Sequence, residues 1–282
     1  MEHRRSPLPI FAAFDLEFDR PLPPSWGSEK TTIERRQNEQ QVNIIAASVV
    51  EFNSFAPRTR TFRSLAPLAM STSKIMSFAH HLLTLHEQGY AIVSWGGSAS
   101  DFRMLCGKLE AYPDLVRDLK RLCMSHVDIP IAILAQHGMM VGLESCAAAC
   151  LSDKGSGKET PSKKLCELWQ RGGADSLRVV RHVEDDAFVT ARLYRFIVES
   201  QRVDPRTYTG FRKRVSMKST IQPGDAWAAW ETTRSDRTMV VPLPLSRGRP
   251  QDVAACKAIK RTFAWKPEPP FTVESCCVWA DV

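Results

Sequence analysis

Apolar residues fall into short runs along the first half of the chain. Residues 10–16 and 42–52 form two runs that suit buried strands, and residues 58–65 alternate like a strand at a sheet edge. A fourth run covers residues 90–95, and a short strand is expected around 126–129. The pattern therefore predicts five strands within the first 130 residues.

Helical spacing of apolar residues begins after the third strand. In residues 73–88, Ile75, Phe78, Leu82 and Leu85 fall on one helical face. Similar patterns predict further helices at 101–111, 114–122, 130–137, 143–151, 163–171 and 176–200. Strands that later alternate with helices are typical of a mixed β-sheet flanked by helices. We therefore expect one α/β domain over residues 1–200.

The chain changes character after residue 200. Residues 201–282 contain eight prolines and four tryptophans, and carry 14 Lys and Arg against 8 Asp and Glu. Residues 1–200 carry 24 against 23, so most of the net charge of +7 lies in the C-terminal segment. We expect a basic C-terminal appendage. It suits a polyanionic partner, because Lys and Arg side chains that bind phosphates release the counterions held by the polyanion. A high isoelectric point without such a partner is the alternative.

Composition excludes several classes of protein. With 43% hydrophobic and 24% charged residues, the chain is typical of globular proteins rather than fibrous or disordered ones. No apolar run approaches the ~20 residues of a membrane-spanning helix, and the first strand begins too early for a signal peptide. We expect a soluble, cytoplasmic protein with no membrane partner.

Cys146 and Cys150 are expected to be reduced core thiols, with a metal or redox site as the alternative.

Four acidic residues are the candidates for chemistry. Asp15 and Glu17 lie two apart at the end of the first strand, so their carboxylates point to one face. Asp101 follows the strand that ends at Trp95 and begins a helix, where an N-cap is the simpler role. Asp186 lies four residues after His182 on the last helix, hence on the same face. Hard cations such as Mg²⁺ and Mn²⁺ prefer carboxylate oxygens.

These acids stand in three segments, FDLEF, SWGGSASDFRML and RHVEDDAFVTARL. Together the segments resemble the DEDD superfamily of 3′–5′ exonucleases, which has a ribonuclease-H-like fold, over residues 10–200. The resemblance implies two Mg²⁺ or Mn²⁺ ions, which clamp the scissile phosphate. The implied metal ligands are Asp15, Glu17, Asp101 and Asp186, with His182 as the general base. The implied reaction releases nucleoside 5′-monophosphates from the 3′ end of single-stranded DNA or RNA.

The chain departs from the family pattern at its last motif. His182 has the spacing that the family gives to a Tyr, and Arg181 occupies the position of the family's usual His. Glu184 and Asp185 are alternatives to Asp186 as the last acid. The choice of base is therefore open.

The middle motif departs as well, because Gly96 and Ser100 stand where the family commonly has Asn and Phe. The second hypothesis is accordingly a catalytically weak or inactive nucleic-acid-binding scaffold on the same fold. An endonuclease on this fold is the third hypothesis.

Asp128 lies on the short fifth strand. It is expected either to support the residues of the site without contacting the substrate or to cap a turn.

Candidate substrate contacts surround these motifs. The basic segment 154–164 offers Lys158, Lys163 and Lys164 to a phosphate backbone, although a solvated linker has the same composition. Trp95, at the end of its strand, is a further candidate contact for the substrate. Residues 19–40, rich in proline and charge, are expected to form a loop that gates the cleft.

Overall fold

The central feature of the molecule is one mixed β-sheet. The computed structural model describes residues 10–20, 41–53, 56–98, 100–130, 132–133, 142–151, 162–200, 202–203 and 215–216. Among these residues the sheet has five strands: β1 (Phe11–Phe18), β2 (Ile44–Phe52), β3 (Pro57–Arg63), β4 (Ala91–Ser94) and β5 (Val127–Asp128). The prediction of a mixed α/β domain is confirmed at this level.

The strands lie in the order β3-β2-β1-β4-β5. β2 runs antiparallel to both β1 and β3, whereas β4 and β5 run parallel to β1. The carboxyl ends of β1, β4 and β5 therefore meet at one edge of the sheet, and the carboxyl end of β3 lies at that edge too. Residues that follow these strands are brought close to one another there.

Helices cover both faces of the sheet. They are α1 (Thr72–Glu87), α2 (Asp101–Lys108), α3 (Pro113–Ser125), α4 (Leu143–Cys150), α5 (Ser162–Arg171) and α6 (Gly173–Ser200). Ala12, Phe14 and Leu16 of β1 pack with the first three helices, while Phe11 and Ala13 pack with α4 and α6. This alternation is that of a strand buried on both faces. It fixes the face to which Asp15 and Glu17 belong, which is the face covered by α6.

The element bounds differ from the predicted ones mainly at helix and strand ends. β1 continues to Phe18 because its pairing with β2 extends to Phe18, which lies opposite Ile44. α6 begins at Gly173, three residues earlier than expected, directly after Gly172, which has a φ of +71°. A left-handed residue of this kind ends one helix and turns the chain into the next. The break therefore separates α5 from α6.

Some predictions fall outside the described residues. These are most of the gating loop at 19–40, most of the helix at 130–137, and the appendage at 201–282 apart from β6 (Arg202–Val203) and β7 (Val215–Ser216), which pair antiparallel. Within the described ranges, no helix has the length and apolarity needed to cross a membrane. Cys146 and Cys150 are buried in the core beside α6, as expected, and form no disulfide within the described residues.

Candidate metal centre

The end of β1 supplies the first two acids of the site. Asp15 and Glu17 are half-buried, and each is followed by a residue, Leu16 or Phe18, that packs on the opposite face of the sheet. Asp15 is paired with Ser48 of β2, whose hydroxyl is fully buried and makes no hydrogen bond to the described residues. The two carboxylates are thus held beneath α6 with hydrogen-bonding capacity beside them.

Helix α6 supplies the other two side chains of this half of the site. Buried residues at helical spacing, including Val179, Val183 and Ala187, hold the helix against the sheet. His182 and Asp186 lie one turn apart on the same side of the helix, above the end of β1. The helix therefore brings its imidazole and carboxylate to the acids of β1.

Glu17, His182 and Asp186 form a close cluster. The His182 Nε2 atom lies 3.4 Å from Glu17 Oε1 and 3.6 Å from Asp186 Oδ2. One donor atom from each of the three side chains lies within 4.8 Å of the others, and their side chains are only 7–15% exposed. Two carboxylates at this separation favour a cation between them, because the enclosed site weakens solvent screening.

The donor set of this cluster fits a hard divalent ion. Carboxylate oxygens suit Mg²⁺ and Mn²⁺, whereas a coordinating imidazole is more typical of zinc-like ions. Glu17 and Asp186, with Asp15 beside them on β1, would hold such an ion. His182 Nε2, which lies beside both carboxylates, would then either bind the ion or accept a proton.

The structure separates the three acids that sequence left as alternatives on α6. The Asp186 carboxylate lies in the cluster. Asp185 is exposed. Glu184 is turned toward the sheet edge, where its Oε1 accepts a hydrogen bond of 2.5 Å from Thr61 Oγ1. Asp186 is therefore the acid of this segment that faces Glu17.

Asp101 lies at the same sheet edge but outside the close cluster. It is the first residue of α2 and not its N-cap, which is Ser100, so the simple capping role considered from sequence is wrong. Its side chain is buried, with 3% of the residue exposed, and its Oδ1 accepts a hydrogen bond of 3.1 Å from Ser100 Oγ. The pKa of Asp101 is raised to about 7, chiefly by burial; the Ser100 hydrogen bond lowers it in part, and the nearby charge of Asp128 adds a smaller increase.

Asp128 holds the loop that carries Asp101. Its carboxylate is fully buried and accepts hydrogen bonds from Gly96 N at 3.1 Å and from Ser98 N at 2.9 Å. Gly96 has a φ of +80°, in the left-handed region that favours glycine. At Gly97, a Cβ atom would lie 2.6 Å from Ser94 Oγ. Gly96 and Gly97 are thus both required by the local geometry.

A second hydrogen-bonded chain supports the same loop. Gly97 N donates to Ser94 Oγ at 3.1 Å, and Ser94 Oγ lies 2.9 Å from His126 Nε2. His126 Nδ1 lies 2.8 Å from the carbonyl oxygen of Cys123, which only accepts, so Nδ1 is the donor there. The His126 ring also packs on Phe102 of α2. Asp128 therefore caps the turn that leads to Asp101, one of the two roles expected for it, together with Ser94, which the sequence analysis missed.

The predicted substrate contacts are less well placed. Trp95 is half-buried and packs against the core on the α6 face. Lys164 is exposed on α5, the side chain of Lys163 on the same helix is not described, and Lys158 lies outside the described residues. Contacts of these four residues with a substrate remain predictions.

Comparisons with known proteins do not assign the chain to a family. A scan against protein-family models finds no match, and a search of curated proteins finds none either.

Proposed function

We propose that the chain is a metal-dependent 3′–5′ exonuclease with a ribonuclease-H-like domain, acting on single-stranded DNA or RNA. The observation that carries this proposal is the cluster of Glu17, His182 and Asp186 at the end of the central strand. The strand order β3-β2-β1-β4-β5, with only β2 antiparallel to its neighbours, supports the fold. The same order brings Asp101 to the edge where the cluster lies.

The residues of the chain have distinct tasks in this proposal. Glu17, Asp186 and Asp15 hold the ion, and Asp101 adds a fourth carboxylate from the neighbouring strand end. A divalent ion bound there supplies an activated water and neutralises charge on the phosphate. His182 takes the proton of the attacking water at Nε2, the nitrogen that faces the two carboxylates. The hydrogen bonds of Asp128 keep the Asp101 loop in place.

The first experiment measures shortening of 5′-labelled single-stranded DNA and RNA with Mg²⁺, Mn²⁺ or EDTA. Wild type is compared with Asp186→Asn and with the matched control Asp185→Asn, which removes the same charge from the adjacent exposed position. We expect a metal-dependent ladder that shortens from the 3′ end, with at least a ~10³-fold loss in Asp186→Asn and wild-type rates in Asp185→Asn. Intact oligomers with every metal would favour the binding scaffold instead, and cleavage of circular strands would favour an endonuclease.

A second variant separates the two possible roles of His182. His182→Gln removes a general base but leaves the carboxylates in place. We expect kcat to fall by roughly 10²- to 10⁴-fold while the Mn²⁺ dissociation constant changes little. A weakened Mn²⁺ affinity with the rate restored at high Mn²⁺ would instead make His182 a ligand.

A further inference from the structure

An open groove lies beside the candidate metal centre, between the edge strand β3 and helix α6. It has a volume of about 380 Å³ and is lined by Thr61, Arg63, Leu177, Val180, Arg181 and Glu184. Arg63 and Arg181 supply positive charge, Leu177 and Val180 form an apolar wall, and Arg181 directly precedes His182 in the chain. We call this the β3–α6 groove.

Strand register places the groove on the same face of the sheet as the acids of β1. Glu17 is paired with Ala46, and Ala46 is paired with Arg63. Directly paired residues of antiparallel strands point to the same face, and neighbouring strands are about 4.8 Å apart. The Cα atom of Arg63 therefore lies roughly 10 Å from that of Glu17. The groove is a lateral continuation of the candidate metal centre.

Charge distinguishes the groove from the rest of the helical surface. Arginines on the surface helices, such as Arg117, Arg171 and Arg195, are paired with acids of their own or a neighbouring helix. Within the described part of the chain, the guanidinium groups of Arg63 and Arg181 make no ion pair or hydrogen bond. They line the groove together with one carboxylate, that of Glu184.

Glu184 does not cancel this positive character. The Oε1 atom of Glu184 accepts a hydrogen bond from Thr61 of β3, so this carboxylate is already engaged. Two guanidinium groups against one engaged carboxylate leave the groove with a net positive charge. Guanidinium groups bind phosphate oxygens with paired, charge-assisted hydrogen bonds.

We propose that the β3–α6 groove binds a backbone phosphate of the single-stranded nucleic acid, within about three nucleotides of the phosphate that is cut. The choice of nucleic acid as the ligand rests on the proposed function. Successive phosphates of a strand are at least about 3.4 Å apart along its axis, so a distance of 10 Å is spanned within about three nucleotides. Arg63 and Arg181 contact the phosphate, and Leu177 and Val180 face the adjoining sugar or base. This gives the substrate a direction across the sheet, from the metal centre toward β3.

The test measures binding of short 5′-fluorescein-labelled single strands by fluorescence anisotropy at several salt concentrations, in EDTA to stop cleavage. Wild type is compared with Arg63→Gln and Arg181→Gln. The matched control is Arg58→Gln, on the same strand but at its opposite, amino-terminal end. Each groove variant should weaken binding by roughly 3- to 10-fold and reduce the slope of log K against log salt by about 0.7, while the control changes neither. With Mg²⁺ or Mn²⁺ present, KM should rise in the groove variants while kcat stays close to wild type.

The outcomes separate this proposal from the proposed function. Cleavage by wild type with unchanged salt slopes in both groove variants would overturn the groove proposal alone. The same holds if Arg58→Gln weakens binding as much as Arg63→Gln, because general surface charge would then account for the effect. Reduced slopes in a protein that cuts no strand would support the groove and count against the exonuclease. Absence of binding by wild type would overturn the groove proposal as well.

Discussion

Two halves of the candidate site stand at the ends of neighbouring parallel strands, yet they are built differently. At the end of β1, Glu17 faces His182 and Asp186 of α6, with charged atoms close together and side chains that still reach solvent. At the end of β4, Asp101 is enclosed, and the loop before it is fixed by the buried carboxylate of Asp128. The first half therefore brings charged side chains together, whereas the second half holds the backbone of the loop before Asp101 in place.

The difference indicates that the two halves have different roles, metal binding in the first and structural support in the second. A cluster of carboxylates and imidazole gains most from a bound cation, since like charges at this distance oppose each other without one. A buried carboxylate that accepts two backbone N–H groups is already satisfied, and its removal leaves buried donors unpaired. We therefore expect substitutions in the first half to change activity and substitutions in the second half to change stability, with Asp101 taking part in both.

Asp101→Asn should produce the largest stability change, and the change should depend on pH. In the metal-free protein the pKa of Asp101 is about 7, whereas an unfolded Asp has a pKa near 3.8. Between these values the folded state binds the proton more tightly, so wild-type stability falls as pH rises from about 4 to about 7. The variant carries no charge and escapes this loss. In EDTA its free energy of unfolding, measured with urea, should exceed that of wild type by on the order of 4 kcal/mol at pH 8 and by only about 1 kcal/mol at pH 4.5.

Parallel pH dependence of the two proteins would show that Asp101 carries its charge in the folded state at little cost. In that case the burial of Asp101 would not distinguish the two halves of the site. Equilibrium urea unfolding at the two pH values, with EDTA throughout, measures this directly.

Asp128→Asn should produce a smaller change with a different signature. The amide accepts at only one atom, and its NH₂ group opposes the N–H of Gly96 or Ser98. We expect the free energy of unfolding to fall by about 2 kcal/mol. Because the Asp101 loop loses a support, kcat should also fall while KM changes little. Urea unfolding and steady-state kinetics below the unfolding temperature measure the two effects.

The control for Asp128 is Asp118→Asn, at a half-exposed side chain of α3 whose ion pairs with arginines lie at the surface. Its stability should change by less than about 0.5 kcal/mol, since surface ion pairs contribute little. A loss of stability in Asp128→Asn without any change in kcat would limit Asp128 to a structural role.

The sequence predicted the sheet and the main helices well because their signals are local. The apolar runs of β1 and β2 and the helical spacing of α1 are properties of neighbouring residues. The start of α6 at Gly173 was missed because two glycines in left-handed conformation, Gly172 and Gly173, set it, and periodicity does not register them. The role of Gly96 was likewise assigned only by its φ and by the Asp128 contact.

The site was predictable in its residue types and less so in its arrangement. Glu17 was selected from one short segment and His182 and Asp186 from another, and the structure brings these three residues together. The burial of Asp101 depends on how α2 packs, which a single segment does not encode. The proximity of Arg63 to Glu17 depends on strand register across β2, so it has no signal in the sequence alone.

The most direct test of the central claim is a titration of the full chain with Mn²⁺, followed by electron paramagnetic resonance. If Glu17 and Asp186 hold a metal ion together, wild type and Asp185→Asn bind Mn²⁺ saturably and release it to excess Mg²⁺, whereas Asp186→Asn loses this binding. Equal Mn²⁺ binding by wild type and Asp186→Asn, or no saturable binding by wild type, would contradict a metal centre at the end of β1.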